Sequence, residues 1–367
     1  MKTKKMRYVW FLVILCIFCL TLFLARTRSK VEMRNRIYHQ WNEHFVVSKG
    51  KESYVRTTND SNQTVVLSEA QSYGMLITVA AAEKGQAQQA DFDRLYHYYL
   101  NHRLEGTQLM SWKQTISNGK AKDEDHNATD GDLYIAYALL KAAQQWPKQA
   151  KDYQAQAKAI LEDILAHNYN EETGVLTVGN WANQDSEFYH LMRTSDTLPA
   201  QFQIFYEVTK DSKWLDIKEK MLQQLQTISS QTKTGLLPDF IWVDEQGTRV
   251  ADPKTIESKY DGAYSYNACR LPYNLVQSKD KTSQQLLKKM LNFFKSQRNL
   301  YAGYDLKGKA LNNHQAASFL APIVYASEHE KGYLKLVQQN KYIFTQDLPL
   351  NNYYDATMTT MIALELF

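Results

Sequence analysis

The hydrophobic pattern divides the chain into an apolar leader and a long series of helices. An uncharged run of 18 residues extends from Tyr8 to Ala25. From Ser68 onward, apolar residues recur at the three- and four-residue spacing of an α-helix in one segment after another. The segments predicted to be helical are 37–45, 68–83, 88–100, 129–146, 148–167, 196–209, 211–230, 265–278, 281–297, 312–328, 330–340 and 353–367.

Two kinds of helix are present in this series. Segment 129–146 is apolar nearly all round, which predicts a buried helix, whereas 148–167 and 211–230 each carry a single apolar face. Inner buried helices and outer amphipathic helices favour two concentric layers. We therefore predict an all-α domain over residues 37–367, an (α/α)6 toroid of about twelve helices. An open helical solenoid is the alternative, but no internal repeat of fixed length is present.

The leader predicts a membrane anchor. Lys2, Lys4, Lys5 and Arg7 precede a run that is just long enough to span a bilayer. A cleaved signal peptide is the alternative, but its apolar region is normally shorter and a small-x-small cleavage site should follow. We predict a cytoplasmic tail and transmembrane helix over residues 1–25, with the span at 8–25, and a linker over 26–36.

The orientation of this anchor is less constrained, because basic residues flank both sides of the span. Those after it are Arg26, Arg28, Lys30, Arg34 and Arg36. We place the amino terminus inside because the large remainder has the character of an exported domain. The expected location is the cell membrane, single-pass, with the domain that follows the anchor extracellular.

Composition narrows the possible partners. Four of the 43 basic side chains and none of the 39 acidic ones lie before residue 26, so the rest of the chain is neutral. No basic patch with interleaved aromatics predicts nucleic-acid binding. Cys16 and Cys19 lie in the span and Cys269 stands alone, so no disulfide framework, metal-ligand spacing or phosphate loop is predicted. We expect no cofactor and no metal, and the oligomeric state is left open.

Two carboxylates open the most apolar helices. Glu69 and Asp130 each fall in a predicted first turn, within Ser68–Gln71 and Thr129–Asp132 segments that have capping-box spacing. A carboxylate at the mouth of a buried helix must be solvated, and a cleft that holds substrate would do this. The alternative is that each acid only complements the helix dipole.

Long connections carry most of the remaining polar and aromatic residues. Those at 106–127, 169–195 and 232–264 contain Trp112, Trp181 and Trp242, and a fourth lies at 299–312. Long irregular connections in a compact domain usually carry function. These tryptophans are candidate platforms for sugar stacking, with core packing as the alternative.

Several short segments of the chain resemble those of a known family. The segment 128–142 (ATDGDLYIAYALLKA), followed by Trp146, is similar to the signature of glycoside hydrolase family 8. The segment 68–75 (SEAQSYGM) resembles the stretch that carries the general acid in that family. Segments 109–113, 205–214 and 235–240 are also similar, so the resemblance extends from about residue 37 to the end.

The resemblance implies an (α/α)6 toroid that cleaves β-linked polysaccharides internally with inversion. It implies that Glu69 is the general acid and that Asp130 holds the sugar ring and tunes its partner. Substrate contacts are expected from a larger set of side chains. They are Tyr73, Trp112, Trp181, Asp196, Tyr266, Asn267 and Arg270.

The chemistry gives an independent reason for the two acids to face each other. An inverting glycosidase needs one protonated carboxyl and one carboxylate that activates water. The helix dipole would make Glu69 too acidic. A neighbouring Asp130 anion and apolar surroundings such as Tyr73 would push the pKa of Glu69 back up.

The general base is the one departure from the common family pattern. Many members have Asp where this chain has Asn267, and an amide cannot take a proton from water. The segments 193–196 and 264–272 resemble the branch with chitosanases and some glucanases, where a Glu in the preceding loop is the base. Glu257 matches that position, although a loop Glu is by default a solvated surface residue, and Asp252 and Asp261 are rivals in the same loop.

The expected function is an endo-acting, inverting glycoside hydrolase of a β-linked polysaccharide. The anchor favours a polymer made by the same cell, such as an exopolysaccharide, but the sugar and linkage stay open. A catalytically silent polysaccharide-binding protein would lack turnover. A polysaccharide lyase on the same toroid would need basic groups for a uronic acid, and the neutral domain argues weakly against it.

Overall fold

A computed structural model describes residues 2–60 and 63–367. Residues 61 and 62, which fall in the predicted loop 57–64, lie outside the described residues, as does residue 1. Within the described chain there are twelve α-helices. They are α1 (Lys2–Phe45), α2 (Ser68–Glu83), α3 (Gln89–Asn101), α4 (Thr129–Gln145), α5 (Ala150–His167), α6 (Pro199–Thr209), α7 (Lys213–Ser230), α8 (Leu271–Val276), α9 (Lys281–Ser296), α10 (Ala317–His329), α11 (Leu334–Asn340) and α12 (Tyr353–Leu366).

The predicted all-α toroid is confirmed. Helices α2, α4, α6, α8, α10 and α12 form an inner ring, and the others lie outside it. Each predicted segment corresponds to one helix, and α2 has the predicted bounds. The largest differences are late starts: α8 follows a 3₁₀ turn over Ala268–Arg270, and α10 begins only at Ala317.

Ten short strands lie in the connections, which we had predicted as irregular. They are β1 (Val46–Lys49), β2 (Glu52–Val55), β3 (Thr64–Leu67), β4 (Lys113–Ser117), β5 (Lys120–Asp123), β6 (Tyr169–Asn170), β7 (Val175–Leu176), β8 (Leu191–Arg193), β9 (Phe240–Asp244) and β10 (Gly247–Val250). They pair antiparallel as β1–β2, β3–β4–β5, β6–β7 and β8–β9–β10. One signal was present in the sequence: Asn118 and Gly119, both at positive φ, form the two-residue turn between β4 and β5.

The two predicted capping boxes are wrong. The Ser68 hydroxyl has no hydrogen-bond partner in the described chain, and the Gln71 amide instead bonds the backbone of Val55, Ser53 and Leu95. Buried polar groups need partners, and the Gln71 amide takes them from other chain segments instead of the first turn of its own helix.

The same holds at the start of α4. Thr129 donates its hydroxyl to the Thr177 carbonyl at 2.6 Å, and Asp132 accepts the Met110 N–H at 2.8 Å. These side chains therefore fasten connections onto the helix instead of capping it.

The inner helices all start at one end of the ring. Tyr353 at the start of α12 donates to Glu69 of α2, and Asp355 accepts the N–H of Ser318 at the start of α10. The starts of α4, α6 and α8 meet at this end as well. We call it the upper end, and the opposite end, where the inner helices finish, the lower end.

Helices α2 and α4 approach unusually closely at the upper end. A Cβ added to Gly131 would lie 2.2 Å from the Ser68 Oγ and 3.0 Å from the Ser68 backbone carbonyl carbon. Only glycine lets the first turns of these helices touch, and this contact brings Glu69 and Asp130 together.

Helix α1 is continuous from the apolar run into the domain. The predicted linker, 26–36, is part of this helix. Trp41 is fully buried in the core and donates its indole N–H to Thr357 of α12 at 2.9 Å. The last third of α1 is thus an outer helix of the toroid.

We predict that Trp41→Ala lowers the free energy of unfolding of the domain by about 3–5 kcal/mol, because a large buried side chain is lost. Thermal or denaturant unfolding of the full chain measures this change. Trp10→Ala, in the exposed part of α1, is the matched control and should leave the domain transition in place. An unchanged transition in Trp41→Ala would show that α1 is not part of the folding unit.

Candidate active site

A cleft of about 510 Å³ opens at the upper end, where the first turns of α2, α4 and α12 meet. Glu69 and Asp130 both line it, as the sequence predicted. The remaining lining residues are Leu67, Ser68, Trp112, Ala128, Arg193, Glu257, Tyr266, Asn267, Asn352, Tyr353 and Tyr354.

One buried arginine joins the two acids. Arg270 Nη1 lies 2.7 Å from Glu69 Oε2 and 3.2 Å from Asp130 Oδ2. Its other nitrogen, Nη2, donates to the Ser195 hydroxyl at 2.7 Å. Tyr73 packs behind, with its hydroxyl 3.0 Å from Nη1. The guanidinium therefore fixes the separation and orientation of both carboxyls from inside the ring.

Glu69 is a largely buried carboxyl with a raised pKa. Its second oxygen accepts the Tyr353 hydroxyl at 2.6 Å, and its side chain is 19% exposed. Burial is the largest influence and raises the pKa of Glu69; Arg270 opposes the rise and the Asp130 anion adds to it. The net shift is upward, in the direction that the sequence argument required.

The pKa of Asp130 is shifted in the opposite direction. Burial alone would raise its pKa, but the guanidiniums of Arg193 and Arg270 outweigh it and hold the pKa below its usual range. Arg193 Nη1 lies 3.1 Å from Asp130 Oδ1, which also accepts the Gly131 N–H. The pKa values of these two adjacent carboxyls are thus shifted in opposite directions because their charged neighbours differ.

Asp196 completes this charge cluster from below. It is 1% exposed, does not line the cleft, and lies 3.5 Å from Arg193. Burial is the main cause that raises its pKa to about 7. The cluster therefore contains two guanidiniums, those of Arg193 and Arg270, and two carboxyls with raised pKa values, those of Glu69 and Asp196.

The structure separates the predicted substrate contacts into two groups. Trp112, Tyr266 and Asn267 line the cleft. Tyr73, Asp196 and Arg270 are buried behind its wall, so they position the lining side chains and do not face the cleft themselves. Sequence motifs could not distinguish these groups, because a motif does not show whether a side chain faces a cleft or the core of the folded chain.

Glu257 lies at the cleft with Glu69 and Asp130. Its Oε2 accepts the Asn267 amide at 2.8 Å, and its Oε1 lies 3.5 Å from Arg193 Nη2. The side chain is 45% exposed, so water can reach it. Asn267, at the position of the usual family base, therefore orients the loop carboxylate.

The two rival acids are placed differently. Asp261 is buried, and its carboxylate accepts the N–H groups of Ile256, Glu257 and Ser258 at 2.7–3.0 Å. Asp252 is exposed and does not line the cleft. Asp261 therefore shapes the loop that presents Glu257, and neither rival faces Glu69.

Sequence reasoning assigned no role to Asp239. This buried carboxyl accepts the N–H groups of Ser265, Asn267 and Ala268 at 2.7–3.2 Å, and burial raises its pKa to about 8. It anchors the turn that carries Asn267 and leads to Arg270. The only signal for it was its place in the segment 235–240.

An aromatic row leads away from the cleft. Trp112 stacks on His126 with ring centroids 5.8 Å apart, and Trp181, Phe188 and Trp242 follow at 6.2, 5.4 and 6.3 Å. The three loop tryptophans that the sequence singled out therefore belong to one surface. Trp181 adjoins the cleft lining without being part of it.

Comparison with known proteins agrees with this geometry. The family model for glycosyl hydrolases family 8 matches residues 13–365. A beta-glucanase of Niallia circulans is 30% identical over 298 residues, which cover 78% of this chain and 72% of the relative. An endoglucanase of Bacillus sp. (strain KSM-330) is 30% identical over 275 residues, which cover 71% of this chain but only 58% of the relative.

A solved structure shares the fold over almost its entire length. The apo β-1,3-1,4-glucanase from Paenibacillus sp. X4 superimposes with a TM-score of 0.82 at 25% identity, covering 93% of this chain and 92% of that one. The fold and the site define a glycosidase built on a helical toroid. The chain belongs to glycosyl hydrolases family 8.

The contacts of Glu69 predict opposite pKa shifts in two variants. Tyr353→Phe removes a hydrogen bond that stabilises the Glu69 anion, so the pKa of Glu69 should rise further. Asp130→Asn removes the neighbouring anion, so the pKa of Glu69 should fall. Infrared or carboxyl-carbon NMR titration measures it, with Glu69→Gln for assignment and Tyr342→Phe as a distant control. Shifts in the same direction would contradict this account.

Proposed function

We propose that this chain is an endo-acting, inverting glycosidase that cleaves a β-linked glucan. One observation carries the proposal: a carboxyl with a raised pKa, Glu69, and a water-accessible carboxylate, Glu257, line the same cleft. Inverting glycosidases need this pair, with the two carboxyl groups roughly 6.5–9.5 Å apart to leave room for water.

Glu69 is the proposed general acid. Because its pKa is raised, Glu69 keeps a proton for the leaving glycosidic oxygen at a higher pH than an ordinary glutamate does. Tyr353 and Arg270 hold the two carboxyl oxygens, and both can stabilise the carboxylate that remains after the proton is transferred. Asp130 stays ionised beside it, where it accepts sugar hydroxyls and keeps the pKa of Glu69 high.

Glu257 is the proposed general base. Arg193 and Asn267 direct its carboxylate toward the cleft, where it would deprotonate a water that attacks the anomeric carbon. The C–O bond to the leaving sugar breaks as the bond to water forms, and Glu69 protonates the departing oxygen. After each cycle Glu69 is a carboxylate and Glu257 carries a proton, and exchange with solvent restores both groups.

The substrate class rests on the relatives and on the aromatic row. The similar proteins described above are a beta-glucanase, an endoglucanase and a β-1,3-1,4-glucanase. A row of rings that extends from the cleft suits stacking on several successive sugars, as an internal cleavage site requires. We therefore place the scissile bond inside a polymer and not at its end.

The proposed location is the outer side of the cell membrane. Within the described residues, α1 is the one helix that is long and apolar enough to cross a bilayer. We propose that residues 8–25 span it with the amino terminus inside. An anchored enzyme of this kind suits a polymer made by the same cell, such as an exopolysaccharide.

We predict that Glu69→Gln reduces turnover on β-glucan by roughly 10²–10⁴, because general-acid help is lost. Reducing-end release from mixed-linkage glucan measures it, and unfolding temperature checks that the fold is intact. Glu105→Gln, an exposed position in the connection before α4, is the matched control and should keep full activity. Near-normal turnover by Glu69→Gln would refute the assignment.

Azide distinguishes the base from its rivals, because it needs no deprotonation before it attacks. We expect Glu257→Ala to lose roughly 10²–10⁴ in turnover and to recover with azide, giving a glycosyl azide of inverted configuration. Asp261→Ala should lower stability through its lost N–H contacts and should not be rescued. Asp252→Ala should behave like the wild type.

Three other outcomes would change these assignments. An active Glu257→Ala enzyme, together with an inactive Asp252 or Asp261 variant that azide restores, would move the base to that Asp. If adding Asn267→Asp restores a dead Glu257→Ala enzyme, the two positions can fill one role. If no polymer is cleaved by the wild type, the chain is a silent binding protein.

A further inference from the structure

We propose that the lower end of the toroid is a membrane-contact surface that rests on anionic phospholipid headgroups, with the cleft facing away from the bilayer. This inference rests on the proposed anchoring of α1. It goes further because it assigns a function to the face of the catalytic domain that is opposite the active site.

The first argument is the length of α1 between the apolar run and the domain. Lys30 already contacts the domain, with its ammonium 5.5 Å from the Phe367 ring centre, and Arg34 donates to the Phe367 carbonyl. Only residues 26–29 separate this contact from Ala25, and they are helical and exposed. Four residues span about 6 Å, which is roughly the thickness of one headgroup layer.

The second argument is direction. Helix α1 meets α12 in antiparallel orientation, since Arg34 lies at the end of α12 and Trp41 bonds Thr357 near its start. The membrane run therefore leaves from the lower end. Tyr353, one turn before Thr357, contacts Glu69, so the site lies near the level of residue 45. That is about 30 Å of helix above Ala25.

The third argument is charge. Four connections close the lower end, and each contains one exposed lysine with no ion pair in the described chain. The connections are 84–88, 146–149, 210–212 and 277–280, and the lysines are Lys84, Lys148, Lys210 and Lys279. They outnumber the two acidic residues of these connections, although residues 26–367 are neutral as a whole. Lysines distributed in this way suit a flat anionic surface.

The test uses the full chain in nanodiscs of phosphatidylglycerol and phosphatidylcholine, with Cys16 and Cys19 replaced by Ala. A fluorophore is placed at Gln149→Cys on the lower end or at Ala121→Cys on the upper end, both exposed. A short-range quencher on the headgroups should quench the lower reporter strongly and the upper one little. Equal quenching of the two reporters would overturn the proposal, as would a chain that carbonate extracts from the membrane.

The lysines are tested by the quencher's headgroup. A quencher on phosphatidylglycerol should act more strongly than one on phosphatidylcholine, and replacing the four lower lysines with Gln should remove most of that preference. The matched control replaces four exposed upper-end lysines, Lys120, Lys122, Lys233 and Lys307, and should retain the preference. An equal effect in both sets would refute the role of the lower lysines. Glucan hydrolysis, assayed separately, decides the proposed function whichever way the reporters behave.

Discussion

The site depends on a single buried cation, the guanidinium of Arg270. It holds one oxygen of Glu69 and one of Asp130 at hydrogen-bond distance in a place where water cannot replace it. A buried charge that loses its partner is strongly destabilised, so neither carboxyl can leave without a large penalty. With Arg193 nearby, two cations meet four acids. Burial is the largest cause of the raised pKa values of Glu69 and Asp196, and the Asp130 anion raises both further.

The toroid provides this arrangement because its inner helices all start at the same end. Their first turns bring acids and N–H groups to one point, and Gly131 lets α2 and α4 touch there. Rigid helices thus carry Glu69, while a loop that is held by the buried Asp261 carries Glu257. The position of Glu69 is therefore fixed by the core, whereas that of Glu257 depends on the loop and on its bond from Asn267.

The same parallel arrangement separates the two ends of the domain. The cleft lies where the inner helices begin, and the apolar run of α1 leaves where they finish. Because the last third of α1 is an outer helix with Trp41 in the core, one continuous helix joins the apolar run to the domain.

The sequence by itself determined the helices, their two layers and the acids Glu69 and Asp130, because helical periodicity and short motifs are local properties. It did not predict the short strands, although the Asn118-Gly119 pair is typical of a hairpin turn. It also predicted capping boxes at Ser68–Gln71 and Thr129–Asp132 that do not form. Only the tertiary structure decided which long-range partners those side chains take, that Tyr73, Asp196 and Arg270 lie behind the cleft, and that Glu257 faces it while Asp261 does not. Such choices depend on contacts between residues far apart in the chain, and no local pattern encodes them.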